Sequence, residues 1–495
     1  MAGFPDAAAA RAFLHSGEPL STAELLAALC GELVVLTEAQ GDPRQRLSVL
    51  EELRPALWQV LAAFDRQHLA RTLPFGEGEQ ARWRSYIEGW SLALAAYMRS
   101  LADADQGIEG VAGLAPLLLQ RVVRQAVQVA VACYRAYQPV EPALWALLHE
   151  HLRRAESCGT ADLPVADPTL ALEGHGTVTE AFLHLLLLDF CDPYGLTPAQ
   201  LALANSWTER LARLSRLSIE PVPHGNAGYL AVDLHRPEGL HLHTHVPVIP
   251  ADASLRFVEL AEAREQVKRL LAKLRLGIPP QDLYLGSECT RDEAELLLER
   301  IQRRWRASRR RLHPRRIVDE TVQLAFGLAA VHRYLLQSAT ESVESACQDL
   351  PSAQLVNQSP SGIGLLQAGK AAGRLRCQQL VALVRQREVV IGSVRWMAVD
   401  GTLGLRYGVR VMAGRASPAH IESSATAPGT EELAVLLPAL PGLAEPPTLL
   451  TSPGIHFPER ELRLRVAGGA FATIRLERLL DAGSDFERVS FQSVP

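Results

Sequence analysis

Residues 311–327 read RLHPRRIVDETVQLAFG. The first part is basic and broken by a proline. The second alternates, with Val322, Leu324 and Phe326 on one side. A period of two is the pattern of a strand with one buried face. An arginine-bearing segment therefore runs straight into a β-strand. The arginines belong to a larger cluster: eight of the fourteen residues from Arg303 to Arg316 are Arg and none is Lys. Arg presents a planar fork that grips phosphate at two points and stacks on bases. A basic run at a helix end is also favoured by the helix dipole alone. The cluster by itself leaves a solvated helix end and an anion site both open.

A second stretch, NQSPSGIGLL from Asn357 to Leu366, runs from small polar residues into an apolar tail. Asn357 and Ser359 supply short donors and acceptors. Gly362 and Gly364 permit backbone angles and close approaches that other residues forbid. Alone, this is a turn entering a strand.

Taken together the two stretches say more. Arg311 and Arg315 form an RxxxR pair just before a strand, and Asn357 to Gly362 fits [D/N]xSxxG. Further on, REVVIGSVRWMAV and LGLRYGVRVM read as two strands around a turn at Asp400-Gly401. This order, over residues 303–416, resembles the PilZ domain family. The resemblance implies a six-stranded antiparallel β-barrel that binds cyclic di-GMP, the bacterial second messenger. It also implies the ligand residues Arg311, Arg315, Asn357, Ser359 and Gly362, with Arg310 and Gly364 beside them. Arg306 and Arg310 form a second RxxxR. Asn stands where Asp is common, and the insert containing HRYLLQSATESVESACQDLPSAQ is long for the family. The chemistry agrees with the resemblance. A ligand with two phosphates and two purines suits arginines that pair with phosphate and with the guanine O6/N7 edge.

Upstream, residues 1–215 read as almost wholly helical. Leu50, Leu53, Leu57 and Val60 fall at helical spacing. Pro55 and Pro142 each begin a PALW stretch that suits the first turn of a helix. Residues 216–302 mix strand-like and helical patterns, with Leu260, Val267, Leu270, Leu271 and Leu274 in one stripe. Thr290 and Glu293 make a capping box before a helix carrying Leu297, Ile301 and Trp305. In that segment Asp233 and Gly239 echo a degenerate second-messenger motif, with His235 at the serine position, which suggests a diverged PilZ-like unit. SPAHIESSATAPGTEE reads as a connector, and residues 417–495 as a β-rich segment with Leu462, Leu464 and Val466 alternating. The fold class is α+β: a helical N-terminal half, the barrel, and additional β-rich segments.

Two other motifs invite chemistry. Gly364 to Ala371 nearly satisfies the phosphate loop GxxxxGK[ST], but Ala371 replaces the magnesium-holding hydroxyl. His241, His243 and His245 alternate onto one strand face, the spacing of a metal site or of an exposed polar face. There is no GxSxG, HExxH or EAL motif, and VAGGAFATI lacks the acids of a GGDEF signature. The expectation is no enzyme, no cofactor and no bound metal.

Composition bounds the class. The 495 residues are 48% hydrophobic and 21% charged, with net charge -5, which argues against a protein coating nucleic acid. The seven cysteines are scattered without a CxxC pair, as in a reducing compartment. The N-terminus has no signal-peptide pattern and no apolar run reaches membrane length. The expectation is a cytoplasmic bacterial receptor that changes domain arrangement on binding cyclic di-GMP. A downstream protein would be engaged through the helical half, there would be no membrane insertion, and a homodimer is compatible with a two-fold ligand. The competing expectation is a basic-patch adaptor for nucleic acid or an acidic protein, its barrel purely structural.

Overall fold

The computed structural model describes residues 3–494 apart from 17–19, 39–40, 171–173, 226–227, 244, 246–253, 307–313, 341–349, 368–372, 386–387, 402–403, 424–430 and 467–468. The chain divides into two compact units. One comprises Met1–Ala70, Phe75–Pro193 and Pro198–Arg310; the other comprises Arg71–Pro74, Tyr194–Thr197 and Arg311–Pro495.

Up to residue 215 the described residues of the first unit form eight helices: α1 (Ala7–Leu14), α2 (Thr22–Glu38), α3 (Pro43–His68), α4 (Glu77–Asp105), α5 (Ala115–Arg135), α6 (Pro142–Ser157), α7 (Val178–Phe190) and α8 (Pro198–Ala212). A small hairpin, β1 (Val165–Ala166) with β2 (His175–Gly176), precedes α7. The predicted α3 stripe is buried: Leu50, Leu53, Leu57 and Val60 are each at most 8% exposed. Each fully buried aliphatic side chain is worth about 1.5–3 kcal/mol. Pro142 opens α6 as expected. Pro55 does not open a helix; it lies inside α3, which starts at Pro43 behind the N-cap Asp42. An interior proline costs about 3 kcal/mol. The buried stripe on either side of Pro55 offsets that cost and carries the helix through.

Helix α5 is central, packed by α4, α6 and α7, and it buries polar residues as well as apolar ones. Asp167 accepts from Arg54 Nη1 at 2.6 Å and Nη2 at 2.9 Å, from Gln120 at 3.2 Å and from the Thr169 hydroxyl at 2.7 Å. Arg121 forks onto Glu51 at 2.9 and 2.8 Å. Burial alone would push the Asp167 carboxyl up; the Arg54 fork overrides it and holds the acid well below the usual carboxylate range.

Residues 216–302 form β3 (Arg216–Ser218), β4 (Tyr229–Asp233), β5 (His241–His243) and β6 (Leu255–Glu259), then α9 (Ala261–Arg275); α10 (Arg291–Arg306) follows. The strands make an open four-stranded sheet of order β3-β6-β4-β5. Among the described residues this is not a barrel, so the diverged PilZ-like reading of this segment is corrected. Two helices rather than further strands follow β6, because Val267, Leu271 and Leu274 recur at helical spacing and are buried. The capping box at Thr290 is present: Glu293 Oε2 accepts from Thr290 N at 2.8 Å, and Thr290 Oγ1 from Glu293 N at 3.3 Å.

The second unit holds two closed barrels. The first uses β7 (Arg316–Phe326), β8 (Ser352–Ser359), β9 (Gly362–Gln367), β10 (Leu380–Arg385), β11 (Glu388–Asp400) and β12 (Gly404–Val411), and every neighbouring pair is antiparallel. Around the barrel the order is β7-β8-β9-β12-β11-β10. The long insert supplies α11 (Leu328–Thr340) between β7 and β8.

The second barrel uses β13 (Ser417–Ser423), β14 (Glu431–Leu437), β15 (Thr448–Thr451), β16 (Glu461–Val466), β17 (Ala472–Ala482) and β18 (Glu487–Ser493), in the order β13-β14-β15-β18-β17-β16. The stretch read as a Pro/Ser/Ala-rich connector thus begins with a barrel strand. Ala419 and Ile421 face inward there, at 0% and 1% exposure, and this burial outweighs the weak strand propensity of the segment. Helix α11 shares one core with both barrels: Val331 and Tyr334 lie in the same cluster as Leu380 and Ile391 of the first and Val435 and Leu450 of the second.

Candidate functional site

The strand register of the first barrel places the two motifs side by side. Arg316 pairs with Gln358 and Ile317 with Asn357, so the chain that carries Arg315 enters the barrel alongside the end of β8. Arg315 Nη1 donates to Asn357 Oδ1 at 3.0 Å. Arg310 and Arg311 lie outside the described residues. Ser359 Oγ donates to the Gly362 carbonyl at 3.2 Å, closing the turn between β8 and β9. A shallow cavity of about 340 Å³ is lined by Pro314, Arg316, Gln358, Ser359 and Pro360.

Of the two uses expected of the glycines, the close approach is present at Gly364 and the special backbone angle is not. Neither Gly362 nor Gly364 has a positive φ, so neither is needed for its backbone angle. What Gly364 supplies is the absence of a side chain. A Cβ there would lie 2.7 Å from Asn357 Oδ1 and 2.8 Å from Nδ2. Asn357 folds over that bare backbone.

One row of residues now runs across the outer face of the barrel. Ile317 pairs with Asn357, Asn357 with Gly364, Gly364 with Gly408, and Gly408 with Trp396. The inward neighbours Leu365, Tyr407 and Met397 are buried at 0–1% exposure, which fixes this row as outward. Trp396 reaches the row because a bulge between Val394 and Trp396 shifts β11 by one residue. Its indole covers Gly408, where a Cβ would collide with the ring. Ile317 is 87% exposed at the other end. Asn357 and the Trp396 indole lie over the two glycines, so the row presents an exposed isoleucine, the Arg315–Asn357 pair and an indole on one outer face. Such a surface can take a planar aromatic group and an anion together.

Further charge lies at the end of the barrel, on the strand face opposite to the row. Arg385 pairs with Glu320 at 2.9 and 2.6 Å and donates to Gln358 Oε1 at 3.2 Å. Sequence reading had singled out none of Ile317, Gln358, Arg385, Trp396 or Gly408 as a site residue. Trp396 and Gly408 stand in the strands that carried the resemblance, but which face they present depends on the bulge.

Other candidates separate from this surface. Gly364 to Leu366 are strand residues of β9, so the near-match to a phosphate loop has no loop geometry at its start; Gly369, Lys370 and Ala371 lie outside the described residues. His241 is 3.3 Å from Glu238. Among the described residues no set of three His, Cys, Asp or Glu side chains gathers to hold a metal. None of the described helices is long and apolar enough to cross a membrane.

Comparison with known families gives matches on both sides of this barrel. The model of the N-terminal domain of the cyclic-di-GMP receptor FimW matches residues 8–223, and that of the FimW C-terminal beta-barrel domain matches residues 425–494. No curated protein and no solved structure matches the chain. The matched segments are the helical unit's bundle and most of the second barrel, and together they span more than half of the sequence. The motifs in residues 303–416 point to the same ligand from the part of the chain that neither match covers. The chain belongs to the FimW family of cyclic-di-GMP receptors.

Proposed function

We propose that the chain binds cyclic di-GMP on the outer face of the first barrel, with Arg311, Arg315, Asn357, Ser359 and Gly362 as ligand residues and Arg310 and Gly364 beside them. The observation that carries the reading is the Arg315–Asn357 hydrogen bond, which joins the two halves of the motif. In this reading the arginines take phosphate and the guanine edge, while the Trp396 indole takes a purine face. Ser359 exchanges its bond to the Gly362 carbonyl for one to the ligand. The function is that of a receptor, with no covalent step.

Binding is also proposed to change the arrangement of the two units. The arginine segment spans one of the points at which the chain passes between the two compact units, from Arg310 to Arg311. Fixing its backbone on a ligand restricts that crossing. The helical unit is then the module for a downstream protein.

Titration calorimetry with cyclic di-GMP tests the site. Binding is expected in the wild type, lost in Arg311→Ala/Arg315→Ala and strongly weakened in Ser359→Ala. Full affinity in those variants would overturn the residue assignment. Small-angle scattering with and without ligand tests the rearrangement, and unchanged curves at saturation would overturn it.

A further inference from the structure

The two barrels are joined by polar contacts as well as by their shared core. Leu380 N donates to Asp485 Oδ1 at 2.9 Å, and Ser484 N donates to Gln378 O at 3.0 Å. One bridge reaches the ligand surface: Arg410 Nη2 lies 2.5 Å from Asp481 Oδ2. Arg410 belongs to the first barrel and Asp481 to the second.

The position of Arg410 is specific. It pairs with Gly362 across β12 and β9, and Gly362 pairs with Ser359 across β9 and β8. This is the outward row next to the one containing Asn357, Gly364, Gly408 and Trp396. Gly362 has no side chain, so Arg410 has bare backbone between it and Ser359. Val411 N donates to Ser361 O at 3.2 Å, which ties the end of β12 to the same turn. Asp481 follows a bulge between Leu479 and Asp481, which takes it out of strict alternation in β17. The side chains of Arg410 and Asp481 are 39% and 19% exposed. A soluble anion can therefore reach the guanidinium and compete with the carboxylate.

We infer that Arg410 is a further phosphate-binding arginine, restrained by Asp481, and that the C-terminal barrel thereby sets the affinity of the first barrel for its ligand. This rests on the proposed cyclic di-GMP site. A guanidinium fork serves one oxyanion pair at a time. Phosphate of the ligand and Asp481 compete for it, so the ligand binds more weakly than it would to a free arginine. When phosphate wins, Asp481 is released and the second barrel loses one of its ties to the first.

Calorimetry on full-length protein at low and high salt tests this, using cyclic di-GMP as the probe. Asp481→Asn keeps the shape and removes the competing charge. It is expected to bind about 3–10-fold tighter at low salt, with a smaller gain at high salt. Arg410→Ala is expected to bind more weakly than wild type, and Arg410→Ala/Asp481→Asn to match Arg410→Ala. Asp481→Glu, which keeps the charge, is expected to stay near wild type. Unchanged or weaker binding by Asp481→Asn overturns the proposal, as does wild-type affinity in Arg410→Ala. Thermal melts of each variant establish that it is folded. Arg315→Ala separates the two levels of the argument. If it loses binding while Asp481→Asn binds like wild type, the site reading stands and the role of Arg410 falls. If it binds like wild type, the site reading falls and this inference falls with it.

Discussion

Arg315 reaches Asn357 across 42 residues of sequence, and its Nη1 donates to the Asn357 Oδ1 at 3.0 Å. Asn357 in turn folds over Gly364, whose missing side chain makes room for it. One hydrogen bond and one packing contact thus set the position of the motif's amide. Removing the amide removes a neutral acceptor from an arginine. Asn357→Ala is expected to weaken cyclic di-GMP binding about tenfold or more, with little change in melting temperature because the pair is exposed. Calorimetry alongside a thermal melt checks both halves of this expectation.

Gly364→Ala tests the seat of the Asn357 side chain rather than its polar groups. The new Cβ would sit 2.7–2.9 Å from three atoms of the Asn357 side chain, so Asn357 must rotate away. A comparable loss of affinity follows, about tenfold, without any change in charge. Gly408→Ala displaces the Trp396 indole in the same way from the other side. Its tryptophan emission should shift in the ligand-free protein. An unshifted spectrum and unchanged affinity in Gly408→Ala would remove Trp396 from the site.

The helical unit depends on charges that are almost fully buried. Arg54 and Asp167 have side-chain exposures of 1% and 0%. Breaking such a pair leaves one charge without its partner in a low-dielectric interior, at a cost of about 3–5 kcal/mol. Asp167→Asn is therefore expected to lower the denaturant midpoint of the helical unit sharply, as followed by far-ultraviolet dichroism. A change under 1 kcal/mol would show that water or a neighbouring acid compensates Arg54.

Two histidines predict the acid limit of the same unit. Burial pushes both His149 and His184 down to about 4 from 6.5, helped by Arg153 beside His149 and opposed by Glu209 beside His184. The unfolded chain then binds protons that the folded chain refuses between those values. Stability is fully present above pH 6.5 and declines as pH falls toward 4, by on the order of 3 kcal/mol per histidine. Asp167 adds nothing in this window, because its depressed carboxyl loses its contribution only at lower pH. Denaturant melts between pH 7 and pH 4 should show the slope, and His149→Gln/His184→Gln should flatten it.

Much of this was legible before any coordinates. The 3.6-residue stripe of α3, the capping box at Thr290 and the alternation of Val322 and Leu324 each follow from the local sequence, because helix and strand periodicities are properties of the backbone. The motif spacing of Arg311, Arg315, Asn357, Ser359 and Gly362 pointed to the ligand that the family match carries. Where the reading failed, a longer-range term had outweighed the local one. Pro55 is a helix breaker locally, yet buried leucines on either side keep α3 intact. Residues 417–423 look like a connector, yet inward-facing Ala419 and Ile421 make them a barrel strand. Asp233 and Gly239 resemble a degenerate motif, yet the segment closes no barrel among the described residues.

The sequence by itself determined the helical N-terminal half, the strand patterns of the first barrel and the identity of the motif residues, since these depend on period, composition and spacing along one chain. Only the tertiary structure decided which residues from different strands share a face. A single bulge brings Trp396 over Gly408, Gly364 makes room for Asn357, and closure of a second barrel sets Asp481 against Arg410. Those relationships depend on register, and register is fixed by the packing of strands far apart in sequence.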